Sequence, residues 1–276
     1  MNILSSNILN SDRTHLGQDY FRGYASLVNS HDYSNALGAQ ACIPEFEADG
    51  SIEHLGPRIQ SAIQHAGACL VHAQDIDFQW LLRQQESIFG PSLPDSTGAP
   101  ISRIAVTPGR KYYASSSVGQ PLHSDDAHLA RSPKLISLYC QVQSARGGMT
   151  TLANMGAYLE HIRDEIPEQC FTPNGLTIQG SAGLLQRALI TSRTPLECPF
   201  PSILSELSGT PEVISFYTRL MQWCHIPAHQ TRLKLAPGDL LFIDNYRAVH
   251  GRTGFPEAEP RLLLRLAFGI SHNGVS

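Results

Sequence analysis

Two short blocks nearly half the chain apart constrain this sequence most. The first is Leu122-His123-Ser124-Asp125; the second runs Pro237-Gly238-Asp239-Leu240-Leu241-Phe242-Ile243-Asp244-Asn245-Tyr246-Arg247-Ala248-Val249-His250-Gly251-Arg252. In an extended strand alternate side chains share a face, so His123 and Asp125 are expected to project into one cavity. His250, beyond a Pro-Gly-Asp turn and an apolar strand, supplies a third donor. Two histidines and one carboxylate are the set that holds a non-haem ferrous ion on one face and leaves three coordination positions open. A fold built on this pattern must bring the two blocks together across several intervening strands.

Those strands are legible. Ile104 to Val106, Lys111 to Ser115, Lys134 to Val142, Thr231 to Leu235, Asp239 to Asp244 and Arg261 to Ile270 are short β-prone runs, and Ile136, Leu138, Cys140 and Val142 alternate on one face. Ahead of them, Gly67 to His72 reads as a buried strand between two helices. The first opens at Leu55-Gly56-Pro57 and runs through Gln64; the second spans Asp77 to Ser87 and stops at Gly90-Pro91. Asn154 caps a helix expected to reach about Ile166, and Pro211 opens an amphipathic helix whose Val213, Ile214, Tyr217, Leu220, Met221 and Cys224 make an apolar stripe. The expected architecture is mainly β with flanking helices, an antiparallel jelly roll. We expect one domain over 1–276, with 1–44 a peripheral, aperiodic segment and 172–210 an insertion covering a site.

Composition narrows the class. Hydrophobic content of 42% suffices for one sizeable core, and a net charge of -4 offers no nucleic-acid surface. The six cysteines are scattered without a CxxC pair, and Met1 to Asp12 lacks a basic stretch followed by an apolar run. No apolar segment approaches the roughly 18 residues of a membrane span. A cytoplasmic location with reduced thiols is expected.

A second constellation lies late in the chain. Arg261-Leu262-Leu263-Leu264-Arg265 puts two guanidiniums on one face of an otherwise apolar strand. Cations facing a barrel interior are costly unless anions meet them, and the planar fork matches a carboxylate in bidentate fashion. An internal salt bridge between Arg265 and an acid such as Asp244 is the structural alternative. Arg252 stands close enough to His250 to approach the site, and Asn245 and Arg247 are expected to brace the turn before His250.

From about Gln120 to Met155 and from Leu235 to Phe268 the chain resembles the taurine dioxygenase and clavaminate synthase-like family of Fe(II)/2-oxoglutarate dioxygenases. The resemblance implies a double-stranded β-helix with His123, Asp125 and His250 as iron ligands. It also implies Arg261 on the distal carboxylate of 2-oxoglutarate, assisted by Thr150 after the Gly147-Gly148 turn, with Thr151 as the fallback. Met149 stands where family members often carry an acid. Arg265 is then the candidate for the acidic group of the substrate. Related halogenases have a small residue where Asp125 stands, so halogenation is disfavoured. Asp126 is expected on the opposite face from His123, and His128 is expected to line the pocket or face solvent.

The activity so implied consumes Fe(II)-bound 2-oxoglutarate and O2 and hydroxylates a small polar acid, an amino acid or derivative of specialised metabolism. Desaturation or cyclisation would use the same residues, and a sulfonate or sulfate-ester dioxygenase is the catabolic version. Two readings from other classes stay open at this point: a zinc hydrolase, and a non-catalytic barrel that binds a small acid.

Overall fold

The computed structural model of the chain describes residues 13–30, 43–74, 76–95, 97–107, 113–180, 183–201 and 206–269. In chain order its first elements are β1 (Thr14–Leu16), α1 (Gln18–Val28), β2 (Glu45–Glu47), α2 (Gly56–Ala66), β3 (Ala68–His72), α3 (Phe78–Phe89), β4 (Ser102–Ala105) and β5 (Gln120–His123). There follow β6 (Leu135–Val142), β7 (Thr150–Ala153), α4 (Met155–His161), β8 (Leu176–Gly180), β9 (Gly183–Arg187), β10 (Ser192–Arg193), β11 (Leu196–Glu197) and β12 (Glu206–Gly209). The last are α5 (Pro211–Cys224), β13 (Thr231–Leu233), β14 (Asp239–Asp244), β15 (Val249–Arg252) and β16 (Leu262–Phe268).

Two sheets form the centre, one of six strands in the order β2-β3-β14-β6-β16-β4 and one of four in the order β13-β7-β15-β5. Period-two alternation assigns their faces. On β14, Leu241 and Ile243 join Leu138 of β6, Leu263 of β16, Leu152 of β7 and Leu233 of β13 in a cluster drawn from both sheets. The alternate residues Leu240 and Phe242 face outward with Leu264, Leu266 and Phe268, packing on Ile59 and Ile63 of α2 and Leu81 and Phe89 of α3. Every interior β14 residue is thus buried on one face or the other, as its continuous apolar run requires. Full burial of a side chain such as Phe242 contributes about 1.5–3 kcal/mol.

The outer face of the four-stranded sheet meets a third layer. Leu122, Ala153 and Val249 pack there with Met155 and Leu159 of α4, Leu220 of α5, and Tyr20 and Phe21 of α1. A further four-stranded sheet, β1-β12-β8-β9, belongs to this layer, with the small β10-β11 ribbon beside it. The structure is therefore mainly β with flanking helices.

Local chemistry sets the helix starts. Asp77 accepts the Trp80 amide at 3.0 Å, Asn154 accepts that of Ala157 at 3.0 Å, and Thr210 accepts that of Val213 at 3.5 Å ahead of Pro211. The Gly147-Gly148 turn into β7 uses left-handed backbone at both residues, φ 61° and 62°, where a side chain would be strained.

Several boundaries depart from the sequence reading. The segment before Pro44 was expected to lie outside the core. Within its described part, α1 instead buries Phe21, at 1% exposed, and Tyr24 against α5 and β5. The apolar positions of α1 are aromatic and diluted by polar neighbours, which hides their spacing. The helix after Asn154 ends at His161, and Arg163–Glu165 tightens into a 3-10 turn. The run expected from Lys111 falls partly outside the described residues, and Tyr113–Ser115 is 3-10 rather than strand. Cys69, Cys140, Cys170, Cys198 and Cys224 are buried free thiols. Among the described residues no helix is long and apolar enough to cross a membrane.

Candidate active site

Strand pairing brings the two blocks together. β15 lies between β7 and β5, with His250 directly opposite His123. Their rings approach to 4.5 Å between centroids. β5 ends at His123, so Asp125 is not on a strand, and the alternation expected of the His-Ser-Asp run does not apply. The turn nevertheless returns the carboxylate to the histidines: Asp125 Oδ1 lies 3.2 Å from His123 Nε2 and 3.5 Å from His250 Nε2. All three donor atoms fall within 4.8 Å of one another.

Asn245 holds that turn. Its side-chain oxygen accepts the Asp125 amide at 2.7 Å, and its nitrogen donates to the carbonyls of Asp125 at 2.9 Å and Pro133 at 2.8 Å. The sequence reading gave Asn245 the turn before His250. That turn is held instead by the Asp244 carboxylate, which accepts the amides of Tyr246 and Arg247 at 3.0 and 3.1 Å. The Asn245 link joins residues over a hundred positions apart, so no local pattern announces it. Arg247 reaches the Gln64 carbonyl.

The protonation states suit a cation. The Pro121 carbonyl lies 2.9 Å from His123 Nδ1 and can only accept, so Nδ1 donates to it and Nε2 is the ring nitrogen turned toward the carboxylate. Burial pushes the His250 imidazole below its ordinary range, opposed but not reversed by the Asp125 charge. For Asp125, burial alone would raise the carboxyl. The adjacent Arg265 guanidinium and the two histidines outweigh it and hold the group well below the carboxylate range. Lone pairs of two imidazoles and an anionic oxygen thus converge on one point. His250 Nδ1 is buried with no hydrogen-bond partner among the described residues.

These residues line a cavity of about 280 Å³, which also receives Arg261, Thr150 and Arg265. All six side chains singled out in the sequence therefore border one space. Arg261, 5% exposed, makes no ion pair among the described residues, and burial lowers its guanidinium to about 10, still charged at neutral pH. Its Nε has no hydrogen-bond partner among the described residues. Arg252 also lines the cavity and donates to the carbonyls of Ser116 and Val118 at 2.7 and 2.6 Å. Thr150, 2% exposed, sits opposite Arg252 in the β7–β15 pair.

Arg265 is placed differently from the salt bridge considered above. It meets Asp125 Oδ2 at 2.6 Å and Asp126 Oδ2 at 3.2 Å, not Asp244. Asp126 was expected on the face away from His123, an expectation that assumed the strand continued. It adopts left-handed backbone instead, φ 54°, and borders the cavity. His128 lines the cavity as well. Sequence reasoning passed over Gln120, whose Nε2 approaches His123 Nε2 to 3.0 Å, and Ser102 and Ile104 of β4, which face the cavity from the sheet edge opposite Arg265 and Leu263.

The model of the taurine catabolism dioxygenase TauD, TfdA family matches residues 30–182 and 182–267. The chain belongs to that family. Trimethyllysine dioxygenase of the yeast Meyerozyma guilliermondii is 23% identical over 152 residues, 48% of this chain and 38% of that protein, so the chain spans well under half of that relative's length. Among solved structures, the non-heme iron oxygenase OrfP in complex with iron, succinate and a dihydroxy-arginine gives a TM-score of 0.64 at 16% identity, over 91% of this chain and 92% of its own. Asparagine oxygenase in complex with Fe(II), 3-hydroxyasparagine and succinate gives 0.58 at 17%, over 90% and 92%. PvcB of Pseudomonas aeruginosa gives 0.58 at 18%, over 82% and 86%. At these identities the likeness is one of fold.

Proposed function

We propose that this TauD-family dioxygenase uses Fe(II) and 2-oxoglutarate to hydroxylate an unactivated C–H bond of a small amino acid or amino-acid derivative. The convergence of His123, Asp125 and His250 carries the reading. Two imidazole nitrogens and one carboxylate oxygen within 4.8 Å of one another are the donor set of a facial ferrous site. When bound there, iron with 2-oxoglutarate supplies the oxidising power to insert one atom of O2 into a C–H bond, the cosubstrate being cleaved to succinate and CO2.

The chain's own residues bind, orient and shield. Arg261 is a buried cation without an anion among the described residues, a costly state for a guanidinium, and a dicarboxylate reaching from the triad would relieve it. Thr150, on β7 of the other central sheet and lining the same cavity, would add a hydroxyl to that carboxylate. Leu138, Leu263 and Pro201 give the cavity apolar walls, which exclude water and strengthen each charge inside. A hydrolytic zinc site would leave Arg261 without a partner.

We read the two central sheets as the halves of a double-stranded β-helix and the chain as one dioxygenase domain, with the described parts of 172–210 (172–180, 183–201 and 206–210) as the cover of the cavity mouth. Pro201 in the cavity wall and the approach of Gly180 to His128 support that cover. A substrate of amino-acid size suits a cavity of about 280 Å³, and the ligands named in the OrfP and asparagine oxygenase structures are amino-acid products. A cytoplasmic role in specialised metabolism accords with this.

The test is O2-dependent succinate formation by the iron-loaded protein against a panel of free amino acids. At least one should raise succinate above the background without substrate, with a product heavier by one oxygen atom. Succinate that tracks no amino acid, or sulfite released from a sulfonate, would overturn the substrate class.

A further inference from the structure

The Asp125 carboxylate divides its two oxygens. Oδ1 faces the two imidazoles, at 3.2 and 3.5 Å, while Oδ2 lies 2.6 Å from Arg265 Nη1. Arg265 is itself anchored, its Nη2 reaching Asp126 at 3.2 Å from a strand locked between β6 and β4. Asn245 fixes the Asp125 backbone through its amide and carbonyl, so the carboxylate extends from an anchored peptide.

A carboxylate can bind a metal through one oxygen or two. Chelation through both would occupy one of the three positions that a facial triad leaves open. We propose that Arg265 is a positioning residue that withholds Asp125 Oδ2 from the metal and so preserves the third open position. This replaces the role of substrate anchor expected from the resemblance, and it rests on the reading of the triad as a metal site. The same contact accounts for the left-handed backbone at Asp126, which swings that carboxylate onto the other arm of the guanidinium.

Mn(II) is a suitable probe because its exchangeable waters are counted by water-proton relaxation and it needs no turnover. Wild-type protein should hold one Mn(II) per chain with three exchangeable waters, and His123→Ala should hold none. Arg265→Met fills the same space without a donor. It should lose about a third of the relaxivity per bound Mn(II), as the freed oxygen displaces one water, and should bind the ion more tightly. Arg265→Lys, which keeps a cation, should hold the ion with relaxivity near wild type, and it carries the test against wild type if the methionine variant fails to fold: a loss of about a third of the relaxivity per bound Mn(II) in Arg265→Lys, or a value no higher than that of Arg265→Met where both fold, counts against the proposal. If His123→Ala loses the ion and Arg265→Met keeps wild-type relaxivity, the guanidinium does not guard the position and the proposal falls, leaving the metal site intact. If wild-type protein binds no Mn(II) at the triad, the metal reading falls first and takes this proposal with it.

Discussion

The His225 imidazole accepts a hydrogen bond from the Leu122 amide at 3.2 Å, while its other nitrogen donates to the Met221 carbonyl at 2.9 Å. Through this contact the C-terminal end of α5 grips the residue next to His123. Burial pushes His225 from its ordinary 6.5 down to about 4, so the folded protein keeps it neutral. Stability from this group is complete above pH 6.5 and is lost as pH falls from there toward 4, because unfolding takes up the proton. The full effect is about 3 kcal/mol at low pH. Urea denaturation at pH 7.5 and pH 5 should show a loss that His225→Gln reduces; an identical loss in both proteins would contradict the assignment.

Arg261→Gln should raise the 2-oxoglutarate concentration needed for half-maximal rate by about ten- to a hundredfold, the worth of a hydrogen-bonded charge pair. Metal binding should be little changed. Steady-state rates against cosubstrate concentration measure this, and an unaltered requirement would remove Arg261 from the cosubstrate site.

Gly251, on β15, lets β5 pair closely beside it. A Cβ there would stand 2.5 Å from the Gln120 carbonyl oxygen and 3.0 Å from Thr151 Oγ1. Gly251→Ala should therefore push β5 from β15, cost about 1–3 kcal/mol of stability and weaken metal binding. Thermal unfolding and Mn(II) titration check both, and a variant with wild-type metal affinity would show that the strand spacing is not critical.

Asn245→Leu removes three buried or part-buried hydrogen bonds and leaves the Asp125 amide and carbonyl and the Pro133 carbonyl without that partner. Each unsatisfied buried group costs about 1–3 kcal/mol. Denaturation should show several kcal/mol lost, and metal affinity should fall about ten- to a hundredfold. Asn245→Ala, which admits water to the gap, should lose less stability and a similar share of affinity.

The site was legible where chemistry is carried by residue identity. His123, Asp125, His250, Arg261, Thr150 and Arg265 border one cavity, and each stood out as a polar group in an apolar or turn-rich setting. β14 was legible because burial on both faces demands a continuous apolar run. What escaped depends on contacts between distant segments. The length of β5 is set by a turn that Asn245 holds from far along the chain, so the sequence near His123 suggests a strand that ends too late. The partners of Arg265 follow from that turn, which is why Asp244 looked as plausible as Asp125. α1 escaped because its buried positions, Tyr20, Phe21 and Tyr24, are interleaved with exposed polar residues.

The visible spectrum of the anaerobic protein on addition of Fe(II) and 2-oxoglutarate tests the central claim most directly. A metal-to-ligand charge-transfer band should appear, saturate at one iron per chain, and vanish in His123→Ala and His250→Ala. A wild-type spectrum without the band, or a band that survives loss of either histidine, would contradict the account.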